Sequence, residues 1–311
     1  MSLPKTAIAR PTLPPRVLAA IIVTVIVWAS AFVVIRWVSP HFSGGALALG
    51  RLIVGSLALA LVLIGRRWVA PSGRQWLLIL GFGVCWFGAY NVALNIGEQT
   101  LEAGTAAMVV NIAPILIAAA AAVFLKERIA KWLLIGGGIA FLGVVLIGVS
   151  TGATGVGNGV GILWCLMAAF TFAAGVMFQK PVLAGLPSQQ VTWLGCVIGA
   201  FVCLPFAGDL IRDVQAAPVS SIAGVVYLGI FPTALAFSTW AYALARMPAG
   251  QLGVTTYIVP AIVIVMAFLA FGEIPTVLAI AGGAICLIGV AVSRRRDKTP
   301  GGHAPRQNLA E

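Results

Sequence analysis

The stretch AGTAAMVVNIAPILIAAAAAVFLKE, Ala103 to Glu127, is apolar almost throughout, yet Asn111 and Pro114 stand three residues apart in its middle. The chain repeats the design 146 residues later as AGQLGVTTYIVPAIVIVMAFLAFGE, Ala249 to Glu273. Laid over each other without gaps, residues 103–146 and 249–292 share 11 of 44 positions, including Pro114, Glu127, Gly136, Gly137 and Gly143 with their partners. An apolar run this long reads as a helix that crosses a bilayer. A Pro inside it removes one backbone donor and bends the helix.

Runs of the same kind fill the chain. Of 311 residues, 61% are hydrophobic and 9% charged, against roughly 25% charged in a soluble domain. That leaves too little polar surface for a water-soluble globule, so the expectation is an all-α polytopic membrane protein. The net charge of +11 sits in short loops and at the chain ends, where it acts as an orientation signal; nucleic acid is not an expected partner. The five cysteines all fall in apolar segments without C-x-x-C spacing, so neither a disulfide framework nor a metal site is indicated. The first apolar run, Val17 to Val38, is too long for a cleavable signal peptide. No phosphate-binding G-x-x-x-x-G-K-[ST] loop occurs, so direct nucleotide drive is not expected, and no cofactor is implied. No His, Cys or carboxylate constellation suggests an enzyme.

Ten spans are expected, near 16–38, 43–64, 76–97, 103–125, 131–149, 159–179, 188–206, 219–244, 249–271 and 275–293. With the N-terminus cytoplasmic, 16 of the 19 Lys and Arg residues fall inside and only Arg212 falls in an outer loop. Both termini are therefore expected in the cytoplasm of a bacterial inner (plasma) membrane. Glu98, Glu102, Asp209, Asp213 and Glu273 then face outward. Five spans per half is an odd number, so the second half enters from the opposite side: an inverted-topology repeat. The expected divisions are a cytoplasmic segment 1–15, a first five-helix repeat 16–150, a second, inverted one 151–296, and a disordered cytoplasmic tail 297–311.

Several motifs together resemble the EamA-type members of the drug/metabolite transporter superfamily. They are W-A-S-A-F (Trp28 to Phe32), Arg51-Leu52, and A-G…N-I-A-P…K-E-R followed by G-G-G…G-V. The partner set is A-G…Y-I-V-P…G-E-I-P followed by G-G…G-V. The resemblance covers roughly residues 16–295. It implies ten helices in two inverted halves around a central cavity, and export of small metabolites, often amino acids, with aromatic and hydrophobic ones the favoured class. Other metabolites or drugs, and a channel or lipid scramblase on the same scaffold, are the alternatives. Phosphorylated substrates are disfavoured, since they would need several basic cavity residues. The expected partners are a small-molecule substrate and the lipid bilayer, with the chain a monomer or weak homodimer.

The candidate substrate contacts are Trp28, Ser30, Tyr90, Asn91, Asn95, Asn111, Trp164, Ser238, Trp240, Tyr242, Thr256 and Tyr257, with Pro114 and Pro260 as hinges. Polar side chains in spans serve either as a binding site or as helix–helix glue. Deep tryptophans either pack or line a cavity, whereas interfacial ones anchor the protein. Arg36 and Arg51 are the charged residues within spans. Arg51 has no evident acidic partner; it binds a carboxylate, or it caps carbonyls or reaches the outer headgroups. No Asp or Glu is expected deep in a span, which favours a uniporter over an ion-coupled carrier. Gly136, Gly137 and Gly138, with Gly282 and Gly283, are expected to let helices approach closely, so that a bulky change such as Gly137→Leu would reduce folded yield.

Overall fold

The computed structural model describes residues 13–127, 131–150, 156–272 and 277–293. All its regular elements are helical, as a bilayer requires: without water, backbone N–H and C=O groups must be satisfied within the chain. In order they are Pro15–Val38 (α1), Gly44–Leu63 (α2), Gly73–Phe82 (α3), Tyr90–Thr100 (α4), Ala103–Val110 (α5), Ala113–Phe124 (α6), Lys131–Ser150 (α7), Val156–Val182 (α8), Ser188–Val202 (α9), Ala207–Ala216 (α10), Val219–Leu228 (α11), Ala236–Leu244 (α12), Ala249–Val254 (α13), Val259–Phe271 (α14) and Val277–Ser293 (α15). Two π turns, Gly83–Ala89 and Gly229–Leu235, join α3 to α4 and α11 to α12. A 3-10 turn, Thr255–Ile258, joins α13 to α14.

Among the described residues, seven helical stretches are long and apolar enough to cross a membrane, and an eighth is so if the bent pair α9 and α10 counts as one. The apolar parts of α7 and α15, Lys131–Gly143 and Ile280–Ser293, are shorter. Large apolar side chains such as Leu61, Phe124 and Leu269 stand exposed on the outer faces, a surface suited to lipid rather than water. The chain is thus a multi-pass membrane protein. The expectations for residues 1–12, for Glu273 and for the tail 297–311 lie outside the described residues.

One expected boundary shifts. The seventh span does not run through to 206: α9 stops at Val202, the chain bends by 54°, and residues 207–216, expected as an outer loop, form α10. Asp213 on α10 accepts a 2.9 Å bond from the Ser43 N–H, at the start of α2. The acidic loop residue therefore fixes a helix entry.

The elements recur at the spacing of the sequence repeat. The helices α3 and α11, α4 and α12, α5 and α13, and α6 and α14 each begin 146 residues apart, and so do the two π turns. Contacts recur in reciprocal pairs. The first π turn packs on α9 and the second on α2; α4 packs on α8, and α12 on α1. The two spans that carry the repeated Pro114 and Pro260 are both interrupted. Helix α5 ends at Val110 and α6 restarts at Ala113 ahead of Pro114; Pro260 follows the 3-10 turn.

The most extensive helix pair is α7 with α15. A Cβ at Gly136 would collide with the backbone of Gly289 and Ser293, and one at Gly289 with the backbone of Gly136 and Ala140. As Gly136 faces the stretch 289–293 and Gly289 faces 136–140, the two helices run antiparallel. Gly137 is not the contact glycine: a Cβ there meets nothing within 4 Å. The apolar run hides which of three adjacent glycines faces inward, because each points about 100° from the next.

The turn after α6 has a defined task. Lys126 takes a left-handed conformation (φ 54°), and the Glu127 N–H returns to the Ala121 carbonyl at 3.2 Å. This aims the Glu127 carboxylate at the start of α13, where it accepts from the N–H groups of Ala249 (2.9 Å) and Gly250 (3.3 Å). Meanwhile Lys180 Nζ donates to the carbonyls of Leu244 and Met247, at the end of α12. Each charge suits the helix end it meets.

Two predictions follow from this packing. Gly136→Leu should sharply lower the yield of folded protein, while Gly137→Leu leaves it near wild type, measured by size-exclusion chromatography in detergent; the reverse order would show that the helices meet elsewhere. Glu127→Ala should cost about 1–2 kcal/mol, the usual value of a lost helix cap. It should be visible as a lower melting midpoint in detergent, and an unchanged midpoint would show that the bonds to Ala249 and Gly250 carry no stability.

Candidate functional site

A small cavity opens among the helices of both halves of the chain. Its wall draws Trp28, Ala31 and Phe32 from α1, Arg51 from α2, Tyr90 and Leu94 from α4, and Val110 and Asn111 from the break after α5. Phe172 from α8, Phe237 from α12, and Thr256 and Val259 complete it. Interrupted helices supply backbone at this depth that a straight helix would not expose, which is where transporters of broken-helix design place their sites.

Five of the twelve wall residues, Trp28, Phe32, Tyr90, Phe172 and Phe237, are aromatic. Trp28 sits at their centre, 5.0 Å from Trp240, 5.4 Å from Phe237 and 5.9 Å from Phe172 between ring centroids. Trp86 stacks on Phe172 at 4.6 Å, and Tyr90 lies 5.8 Å from it. Trp86 and Trp240 are each 1% exposed, so they hold the front rings in place from behind. Edge-to-face and offset contacts of this kind rigidify a cage.

Four of the expected contact residues stand in the wall: Trp28, Tyr90, Asn111 and Thr256. The others are placed differently. Asn91 Nδ2 donates to the carbonyls of Phe87 (2.8 Å) and Trp86 (3.2 Å), repairing the π turn that precedes it. Asn95 Nδ2 donates to the Gly44 carbonyl at 3.1 Å, joining α4 to α2. Ser30 bonds to the Val27 carbonyl and shares a 2.8 Å bond with the Tyr227 hydroxyl. Ser238 donates to the Ala234 carbonyl at 2.7 Å. Tyr242 lies beneath the Arg246 guanidinium, 3.6 Å from ring centroid to Cζ. Trp164 packs, half-buried, against the apolar core. Trp240 stands behind Trp28. Tyr257 and Pro114 line a second, apolar pocket with Gly137 and Gly138, while Pro260 is buried at the start of α14.

The structure adds residues that sequence reasoning passed over or left open. Phe172 on α8 is one of them: it lines the wall 5.9 Å from Trp28 between ring centroids. Arg51 is 3% exposed and projects into the wall. Its Nε donates to Thr233 Oγ1 at 3.1 Å, and that hydroxyl donates in turn to the Leu228 carbonyl at 2.8 Å. Pro232, having no N–H, cannot serve that carbonyl. The Thr233 hydroxyl therefore both mends the second π turn and orients Arg51. Arg51 Nη1 has no hydrogen-bond partner, and neither does Asn111 Oδ1, whose amide nitrogen is spent on the Ala107 carbonyl at 2.6 Å.

Glu98 corrects one expectation, that no Asp or Glu is buried within a span. Glu98 is instead 3% exposed near the end of α4, with both carboxylate oxygens unpaired, and the charges of Arg51 and Arg36 act on it. It belongs to the Tyr90–Leu94–Glu98 row of α4, spaced by four residues along one face. Tyr90 and Leu94 line the cavity, and Glu98 lies one turn beyond. Arg51 and Glu98 are the two charged side chains among the fully buried described residues. A buried carboxylate this near a helix end was invisible to a rule based on distance from the span boundary.

Comparison with known proteins agrees with this architecture. The EamA-like transporter family matches residues 16–149 and again 159–295. A protein of Streptantibioticus cattleyicolor named as a probable terminal-alkyne amino-acid exporter is 35% identical, over 89% of this chain and 93% of its own. The Bacillus subtilis transporter YdfC, itself uncharacterized, is 34% identical over 85% and 86%. A Salmonella typhimurium protein named as a probable amino-acid metabolite efflux pump is 25% identical over 88% and 92%. A solved crystal structure at 17% identity superposes with a TM-score of 0.72 over 91% of this chain and 97% of that one, a likeness of fold. The chain is a member of the EamA-like transporter family.

Proposed function

We propose that the protein exports small neutral metabolites, foremost amino acids with apolar or aromatic side chains, through the central cavity by alternating access. The observation that carries this reading is the composition of the wall: an aromatic cage with Arg51, Tyr90, Asn111 and Thr256 set into it. An apolar side chain moved from water into such a cage gains about 1.5–3 kcal/mol, enough to prefer it over a small polar one. A few fixed polar groups then orient the remainder of the molecule. The names given to the Streptantibioticus and Salmonella relatives point to the same class.

The architecture we infer is ten spans in two inverted halves, residues 16–150 and 151–296. It is supported by helices and π turns that recur at one spacing, by reciprocal contacts between the sets, and by the antiparallel packing of α7 on its equivalent α15. The Lys and Arg bias supports cytoplasmic termini in a bacterial inner membrane. The cavity lies within a single chain, which favours a monomer or a weakly associated dimer as the working unit. Within the expected contact set, Trp28, Tyr90, Asn111 and Thr256 are assigned to substrate. Asn91, Asn95, Ser30 and Ser238 are assigned to helix joining, and Pro114 and Pro260 to hinges between half-helices. The proposed mode is uniport down the substrate gradient. Glu98 is the one carboxylate among the fully buried described residues, and it makes proton coupling the rival mode.

The test is counterflow in proteoliposomes loaded with one unlabelled amino acid, with a trace of the labelled form outside and no ion gradient. Transient accumulation of phenylalanine, methionine or threonine is expected. No accumulation of any amino acid by folded protein would turn the reading toward other metabolites, a channel or a scramblase. Asn111→Ala should lower this flux about tenfold at unchanged expression, the worth of one good hydrogen bond; wild-type flux would remove Asn111 from the site. A pH gradient alone should drive no accumulation. Accumulation that a pH gradient drives, and that Glu98→Gln abolishes, would replace uniport with proton coupling.

A further inference from the structure

The cavity's charged corner carries more information than its aromatic walls. Arg51 and Glu98 are both buried and of opposite sign, yet neither hydrogen-bonds the other. Arg51 Nη1 is an unpartnered donor on the wall. Asn111 Oδ1 is an unpartnered acceptor on the same wall, and the Glu98 oxygens lie one helical turn beyond Leu94. Two buried opposite charges with hydrogen-bonding capacity to spare are ordinarily found bonded together, because desolvation makes unmet capacity costly. Thr233 explains why Arg51 does not swing across: it takes the Nε bond and holds the guanidinium toward the cavity.

Resting on the reading of the protein as an amino-acid exporter, we propose that Arg51 and Glu98 make this cavity a zwitterion site. The substrate's α-carboxylate meets Arg51 Nη1. Its α-ammonium meets the Asn111 amide oxygen, within the negative field of Glu98. The aromatic cage receives the side chain. The buried pair sums to zero charge, so a molecule carrying both charges leaves the corner balanced. An amine lacking the carboxylate leaves Arg51 unmet, and an acid lacking the ammonium adds an uncompensated negative charge beside Glu98. Selectivity therefore falls on the α-amino-acid group rather than on hydrophobicity alone. This separates the protein from a general exporter of apolar drugs. Arg36, the other cation acting on Glu98, lies toward the end of α1 over the Phe271 ring, outside the cavity wall.

The experiment uses the wild-type protein first, so that it does not depend on a variant folding. The labelled amino acid with the largest counterflow among phenylalanine, methionine and threonine is competed with three compounds: itself, its methyl ester (a cation) and its N-acetyl derivative (an anion). Both derivatives should compete at least about tenfold more weakly than the parent, as expected where a buried hydrogen-bonding group loses its partner. Competition by either derivative within about twofold of the parent would overturn the zwitterion site while leaving amino-acid export standing. Counterflow of no amino acid at all would remove the export reading, and this inference with it. In Glu98→Gln the N-acetyl anion should gain on the parent by about fivefold, since its repelling charge is gone, while the ester gains nothing. An unchanged N-acetyl ratio in folded Glu98→Gln would show that Glu98 is a packing residue and not part of the site.

Discussion

Backbone hydrogen bonding without water is the constraint on which this structure depends. A straight helix meets it by itself, but a chain of straight helices would enclose no polar cavity. The protein interrupts several of its helices, and at these places polar side chains bond to carbonyls of the adjoining turn. Side chains serve them locally. Asn91 covers Phe87 and Trp86, Thr233 covers Leu228, Asn111 covers Ala107, and Thr255 and Thr256 cover Leu252 and Gly253. This is how membrane proteins tolerate irregular backbone at depth.

The same economy links repair to recognition. Thr233 satisfies a carbonyl that Pro232 leaves open and, with its lone pair, steers Arg51 into the cavity. Asn111 spends its amide nitrogen on the Ala107 carbonyl beside the break after α5, which leaves its buried oxygen without a partner. In both cases one atom of a polar side chain stabilises the break while another atom, or a neighbour, is presented to whatever enters. Site and scaffold are therefore not separable into different residues.

That overlap explains what could and could not be read in advance. Apolar runs, interrupted by Asn111–Pro114 and Tyr257–Pro260, announced helices and their breaks, because hydropathy and proline act locally. Polar residues within spans serve as helix–helix glue or as cavity wall, and composition could not divide the two. Asn91 and Tyr90 are adjacent in sequence and face different ways, since neighbouring side chains on a helix point about 100° apart. The same geometry separates Gly136 from Gly137. Glu98 went unseen because burial near a helix end depends on what packs over it, here α8 and α2, and not on its place in the chain. Helix α10 was missed because an amphipathic ten-residue segment with Asp209, Arg212 and Asp213 reads as a polar loop.

The clamp at Glu127 has a mechanical consequence. Beyond its bonds to Ala249 and Gly250, α13 lies directly on α6: a Cβ at Gly250 or Gly253 would rest in ordinary contact with Ala118 or Ile117. Lys180 tethers the preceding carbonyls as well. At that end of the molecule the two interrupted spans cannot part without exposing charged and backbone groups together. Relative motion there is restricted to rotation about a fulcrum. Displacement then grows with distance along the spans, so a small change of angle beside Glu127 becomes a large one at their far ends.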